Sequence, residues 1–118
     1  MPKALALMFT DVSAPGDEAA FNEWYRDTHL PEVLAQVPGI VGASRYVAAP
    51  ESVADMPGGR RYLAVYRIEA DDPRVVMTTL RERIADGSIG ITETLRTDPP
   101  PLSLVYLSLE GDGLPDAG

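Results

Sequence analysis

At 118 residues, with 45% apolar and 24% charged residues, the chain has the size and balance of one folded domain rather than of a disordered segment. Its formal charge of −8 argues against a nucleic-acid partner, because binding to such polyanions is driven by clustered Lys and Arg. The absence of cysteine removes disulfides, thiolate nucleophiles and Cys-based zinc or iron–sulfur sites, and no apolar run approaches the roughly 18 to 20 residues of a membrane span.

The start Met1-Pro2-Lys3 leads into a short apolar stretch without a signal-peptide cleavage pattern, so a cytoplasmic chain is expected. Residues 3–10 form a compact apolar strand. Turn residues fill 11–16, and a helix opens near Asp17, with Asp17 and Glu18 in the first turn where the macrodipole favours negative charge. The segment Phe21-Asn22-Glu23-Trp24-Tyr25-Arg26-Asp27-Thr28-His29-Leu30-Pro31 holds the only Trp, the only His and two further aromatic residues. Helical spacing puts Phe21, Trp24 and Tyr25 on one side, with His29 one turn beyond Tyr25. Pro31 has no N–H and biases Leu30 away from helical angles, so a kink or break is expected near His29, with carbonyls such as that of Asp27 freed beside the imidazole.

The helix resumes to Gln36 and stops at Pro38-Gly39. A strand follows over 40–48, then a long loop or flap over 50–59, then a strand over 61–68 that alternates Tyr62, Ala64, Tyr66 and Ile68 against Leu63, Val65 and Arg67. Asp72 and Pro73 are a cap and first position for a second helix, which Val76, Leu80 and Ile84 continue to Gly87. Residues 88–101 carry no clear period and read as an irregular or helical turn. A last strand spans 102–109, and residues 110–118 read as a flexible acidic tail outside the single domain of 1–109.

The order strand, helix, strand, strand, helix, strand is the ferredoxin-like βαββαβ arrangement of the α+β class, with one four-stranded antiparallel sheet carrying two helices on one face. Both parities of the first and last strands are apolar: Ala4, Ala6 and Met8 against Leu5, Leu7 and Phe9 in the first, and Leu102, Leu104 and Tyr106 against Val105, Leu107 and Leu109 in the last. A sheet with one wet face alternates polar residues. The second face is therefore expected to be covered by another copy of the chain, forming a homodimer.

The run from Phe21 to Pro31, then Val37-Pro38-Gly39-Ile40-Val41 and Arg61-Tyr62-Leu63-Ala64-Val65-Tyr66, resembles the EthD-like branch of the dimeric α+β barrel superfamily over about the first two thirds of the chain. The resemblance implies a homodimer whose two sheets close into a barrel, with a small-molecule cavity between sheet and helices or inside the barrel. Relatives include cofactor-independent isomerases, polyketide cyclases, anthrone-type monooxygenases and haem-handling proteins. The scaffold does not fix the chemistry.

His29 has two readings: a proton shuttle in an apolar pocket, or a residue that bonds freed carbonyls and holds the kink. Tyr25, one turn away, could polarise a carbonyl or be an interfacial tyrosine satisfied by backbone. Phe21 and Trp24 suit a core or cavity wall. Tyr46, Tyr62, Tyr66 and Tyr106 are strand tyrosines, and Tyr62 and Tyr66 share a face. Arg45, Arg61 and Arg67 are strand cations suited to edge or dimer ion pairs, with a substrate carboxylate as the alternative partner of Arg45 or Arg67. Asn22, Glu23 and Asp27 suit the solvated face of the helix.

One His and no Cys cannot build a usual zinc site, no phosphate-cradling glycine motif is present, and no nucleophile elbow accompanies the Ser residues. The expected protein is thus a cofactor-free isomerase, cyclase or lyase acting on a small hydrophobic carbonyl or phenolic compound. In it His29 and Tyr25 are the catalytic candidates, and Phe21, Trp24, Tyr46, Tyr62, Tyr66 and Arg45 line the substrate. The alternatives are a non-catalytic small-molecule binder or accessory protein, and a haem protein with His29 as iron ligand.

Overall fold

A computed structural model describes residues 3–98 and 100–109; the tail expected over 110–118 lies outside them. Four strands, β1 (Lys3–Thr10), β2 (Ile40–Val47), β3 (Tyr62–Glu69) and β4 (Leu102–Leu107), form one sheet in the order β2-β3-β1-β4. Every neighbouring pair is antiparallel, with Leu7 opposite Val65 on one side and Leu104 on the other, so the ferredoxin-like topology is complete.

Cross-strand partners point to the same face, which sorts the side chains. Ala4, Ala6, Thr10, Tyr62, Ala64, Tyr66 and Ile68 lie on the buried face under the helices. The helical layer comprises α1 (Glu18–Trp24), a π-helical turn (Tyr25–His29), α2 (Leu30–Gln36) and, after β3, α3 (Pro73–Ala85). Phe21, Val33, Val37, Tyr66, Ile68 and Ile89 are almost completely buried between the layers, each worth about 1.5–3 kcal/mol in removal from water.

Local sequence fixes the ends of these elements. Asp72 accepts a hydrogen bond from the Arg74 N–H at 3.0 Å, and Pro73 occupies the first turn of α3. Gly39, at φ +97°, turns the chain from α2 into β2, and a Cβ there would press on Val76.

Two parts differ from the sequence expectation, and a third takes the irregular of its two expected forms. The first helix does not break: Leu30 keeps helical angles (φ −61°, ψ −45°), and its N–H reaches back five residues to the Tyr25 carbonyl. The turn widens by one residue just before Pro31, which has no N–H to offer, and the helix passes it as a π-bulge and resumes as α2. The loop after β2 winds into two exposed 3₁₀ turns, Pro50–Asp55 and Pro57–Gly59, and is tied down by Arg60, whose guanidinium donates to the Pro100 carbonyl at 2.9 and 2.7 Å.

Residues 88–98, where no helix forms, run back along the end of β1. There Val12 and Leu95 form a lone β-bridge, and the N–H groups of Ser13 and Arg96 donate to the Thr94 and Asp11 carbonyls at 2.7 and 2.9 Å.

Candidate functional site

The π-bulge sets the geometry of the aromatic segment. Phe21, Tyr25 and His29, spaced by four, turn inward; Phe21 and Tyr25 meet edge to face at 5.1 Å, as do Tyr25 and His29. The widened turn also brings residues five apart together, so that Trp24 stacks on the His29 imidazole at 4.4 Å and 19°. The imidazole therefore has one face on an indole and a neighbouring phenol ring edge-on, and only 6% of the residue reaches solvent.

No protonated imidazole is comfortable there. Burial pulls the His29 pKa down to about 4, the nearby Glu32 carboxylate opposes that, and the Arg45 charge adds to it. His29 is consequently neutral at neutral pH. Its Nδ1 is buried and has no hydrogen-bond partner, so this nitrogen does not bond a freed carbonyl, the second of the two readings. An unpaired buried polar atom costs about 1–3 kcal/mol, which makes it a place to look for a missing partner. Tyr25 is 2% exposed. Burial raises its pKa, with the Thr10 side chain and the Arg45 charge offsetting part of the rise, so the phenol remains a hydrogen-bond donor at neutral pH. Burial raises the Tyr66 phenol likewise.

The sheet supplies the opposite wall. Tyr62 packs on Phe21 with ring centroids 5.3 Å apart, and the Arg45 guanidinium carbon lies 4.3 Å from the Tyr25 ring centre, 5.3 Å from that of Phe21 and 5.4 Å from that of Tyr62. Arg45 Nη1 donates to Asn22 Oδ1 at 2.9 Å, whereas its Nη2 is buried without a partner. Two clefts flank this arginine at the β2 edge. One, of about 340 Å³, is lined by Asn22, Arg26, Leu30, Ala43, Ser44 and Arg45; the other, of about 220 Å³, by Asn22, Arg45, Tyr46, Val47 and Tyr62. Neither is lined by Tyr25 or His29, which sit deeper.

Of the residues singled out in the sequence, Phe21, Trp24, Tyr25, His29, Arg45, Tyr62 and Tyr66 thus fall on the helix-covered side of the sheet. Tyr46 does not. It pairs with Leu63 and projects from the opposite face with 55% exposure, lining the smaller of the two Arg45 clefts but not the larger. Tyr106 pairs with Leu5 on that same open face.

Sequence reasoning missed two residues. Asn22, expected on the solvated helix face, flanks the inward stripe and fixes Arg45. Asp11, taken as a turn residue, is 6% exposed and anchors a charge network: Arg61 donates to it at 2.9 Å, Arg96 approaches at 3.9 Å, and Arg61 also meets Glu18 at 2.7 Å. Glu18 in turn accepts from the Tyr62 hydroxyl at 3.1 Å, linking the network to the aromatic wall. Burial pushes the Asp11 carboxyl up, but bonds from Arg61 and the Val12 N–H outweigh it and hold the pKa below the usual range. Glu23 and Asp27 are exposed as expected, with Arg26 bonded to Asp27 at 2.8 and 3.0 Å. Among the described residues there is no cluster of three His, Asp or Glu side chains arranged to hold a metal.

Among solved structures, the chain is similar to an ethyl tert-butyl ether D (EthD) family protein from Bacillus halodurans C-125, with 18% identity, coverage of 92% of this chain and 100% of the other, and a TM-score of 0.55. It is also similar to a dimeric ferredoxin-like protein from an uncultured marine organism, with 12% identity, 92% and 97% coverage and a TM-score of 0.58. The chain has the ferredoxin-like fold. A third structure with this fold, a proposed monooxygenase from Shewanella loihica PV-4, matches at 18% identity, 90% and 94% coverage and a TM-score of 0.53. No protein-family model matches the sequence, and no curated protein matches it. At these identities the likeness concerns the ferredoxin-like scaffold, and the chemistry has to be argued from the side chains.

Proposed function

We propose that this protein is a homodimeric member of the EthD-like dimeric α+β barrels that binds a small, largely apolar carbonyl or phenolic compound between its π-bulged helix and sheet. We further propose that it moves a proton on that compound without a cofactor, as an isomerase, cyclase or lyase. The observation that carries this reading is the unpaired Nδ1 of a neutral, buried His29 beside a protonated Tyr25. With its proton on Nε2, the imidazole presents a free lone pair at Nδ1. A C–H next to a substrate carbonyl would give its proton to Nδ1, the electron pair would move onto the carbonyl oxygen, and Tyr25 would donate a hydrogen bond to the enolate so formed. Return of the proton from His29 to another atom of the substrate completes an isomerisation or cyclisation and restores the neutral imidazole. Burial penalises the imidazolium formed in this step, so its charge has to be balanced by the adjacent enolate, and the proton is readily handed back to the substrate.

The homodimer is supported by the open, apolar second face of the sheet and by the dimeric ferredoxin-like protein that shares the fold. Among the described residues no helix is long and apolar enough to cross a membrane. A cytoplasmic location remains part of this proposal.

A second reading, a binder without turnover, draws support from the close packing of His29 against Trp24 and Tyr25. A panel of small cyclic ketones and phenols, followed by mass spectrometry and by thermal stabilisation, separates the two. Under the catalytic reading His29→Gln and His29→Ala abolish product formation by at least about a hundredfold while the protein stays folded. Turnover that survives both substitutions removes His29 from the mechanism, and stabilisation without product favours the binder.

A further inference from the structure

We infer that the compound taken by this site carries a carboxylate, and that Arg45 Nη2 is the donor that holds it. This deepens the small-molecule reading above and rests on it. The chain holds 18 acidic residues against 10 Lys and Arg, so partners for a cation are plentiful. Several other arginines take them: Arg26 pairs with Asp27, Arg61 with Asp11 and Glu18, Arg74 with Asp72, Arg83 with Asp86. Arg60, Arg67 and Arg81 pair with no carboxylate among the described residues, but Arg67 and Arg81 are exposed and Arg60 donates to the Pro57 and Pro100 carbonyls. Among the described residues no carboxylate lies within ion-pairing distance of Arg45, although its guanidinium is half-buried among three aromatic rings.

A cation taken partly out of water without a counter-charge is costly unless something supplies the charge. The Asn22 amide oxygen satisfies one nitrogen at 2.9 Å and fixes the plane of the fork, leaving Nη2 as a buried, oriented donor. A neutral carbonyl could accept that hydrogen bond but would leave the charge uncompensated; a carboxylate does both. The adjoining cleft of about 340 Å³ has Leu30 and Ala43 for an apolar body and a second guanidinium, Arg26, at its rim. That volume is at the small end of ligand sites, which suits an acid of one ring rather than a long chain.

Calorimetric titration of the full-length protein with benzoate and with its neutral isostere benzamide tests the inference. Benzoate should bind wild type at least about tenfold more tightly than benzamide, as expected for a charge-assisted hydrogen bond in a partly desolvated site. Arg45→Gln should bring benzoate down to the benzamide level while leaving benzamide unchanged, and Arg45→Lys, which keeps the charge but loses the fork, should fall between. Equal binding of the two compounds to wild type overturns the carboxylate assignment while the small-molecule site stands. Benzoate affinity unchanged in Arg45→Gln and Arg45→Lys does the same for the role of Arg45. Binding of neither compound overturns the inference and counts against the site itself. Because the first comparison uses wild type alone, the inference stays refutable even if Arg45→Gln does not fold.

Discussion

His29 has its pKa lowered from 6.5 to about 4 by burial, so between those values the unfolded chain binds a proton that the folded chain refuses. Folding stability therefore rises with pH in this window: the His29 contribution is fully present above about pH 6.5 and is lost as pH falls toward 4, for a total of about 3 kcal/mol. Urea unfolding of wild type and His29→Gln at a series of pH values checks this, since the variant should lack the loss between pH 6.5 and 4, and parallel curves would show that the imidazole is not buried neutral. The same shift predicts that turnover depending on His29 as a base stays flat from pH 8 to 5 and declines only below that, where an ordinary histidine would titrate near 6.5. The residue spacing made the stripe of Phe21, Tyr25 and His29 legible in the sequence, because i to i+4 contacts are local. The Asn22–Arg45 bond and the seating of Arg45 over Tyr25 were not, because they join a helix to a strand 23 residues away and no periodicity encodes that register.

At the scale of elements, Asp11 joins the end of β1, the start of β3 and residues 95–96. Its carboxylate takes Arg61 and the Val12 N–H, its carbonyl takes the Arg96 N–H, and the adjacent Val12 bridges Leu95. Removing the carboxylate leaves Arg96 without its carboxylate partner and Arg61 with Glu18 alone. Asp11→Ala should then cost about 3 kcal/mol, read as a lowered denaturation midpoint, with hydrogen exchange accelerated first at Ser13 and Arg96; a loss below about 1 kcal/mol would mean the network is no stronger than a surface pair. This network explains why residues 88–101 resisted reading while the four strands and α3 were plain. Strands and helices announce themselves by period, and Asp72-Pro73 by local capping chemistry. The segment before β4 is instead held by side chains that reach backbone far away in sequence, such as Gln36 on the Ser88 carbonyl and Glu32 on the Gly90 N–H, both at 2.8 Å. The π-bulge was half legible. Pro31 marked the place correctly, but whether a helix meets a missing donor by breaking or by admitting one extra residue depends on the packing of Tyr25 and His29 beneath it.

For the whole molecule the governing feature is the sheet face that no helix covers. Leu5, Leu7 and Phe9 of β1 stand opposite Leu63 and Val65 of β3 and Leu102, Leu104 and Tyr106 of β4, which makes one continuous apolar surface. Three strands at about 4.8 Å spacing and six to eight residues at about 3.3 Å rise give it roughly 300–400 Å² in projection, a large patch for a monomer to leave bare. Polar groups lie at one end, where Lys3 and Glu69 pair across the strands, and along the β2 edge, where Arg67, opposite Leu5, lies over Gly42 to donate to Ser44 at 3.3 Å, so the apolar part of the face is that of β1, β3 and β4. Stacking this face on a second copy removes it from water, and sedimentation of wild type at micromolar concentration should report twice the chain mass of 12.7 kDa. Leu7→Glu places a charge at the middle of the face and should yield single chains that keep their secondary structure, because Leu7 faces away from the helix-covered core. Each copy also carries a formal charge of −8, so association works against long-range repulsion that salt screens over about 10 Å at 0.1 M. The dimer of wild type should accordingly tighten as sodium chloride is raised from 0.01 to 0.1 M, the opposite of an interface built on ion pairs. A wild-type chain that sediments as a single copy at both salt concentrations would remove the covered face, and with it the closed barrel.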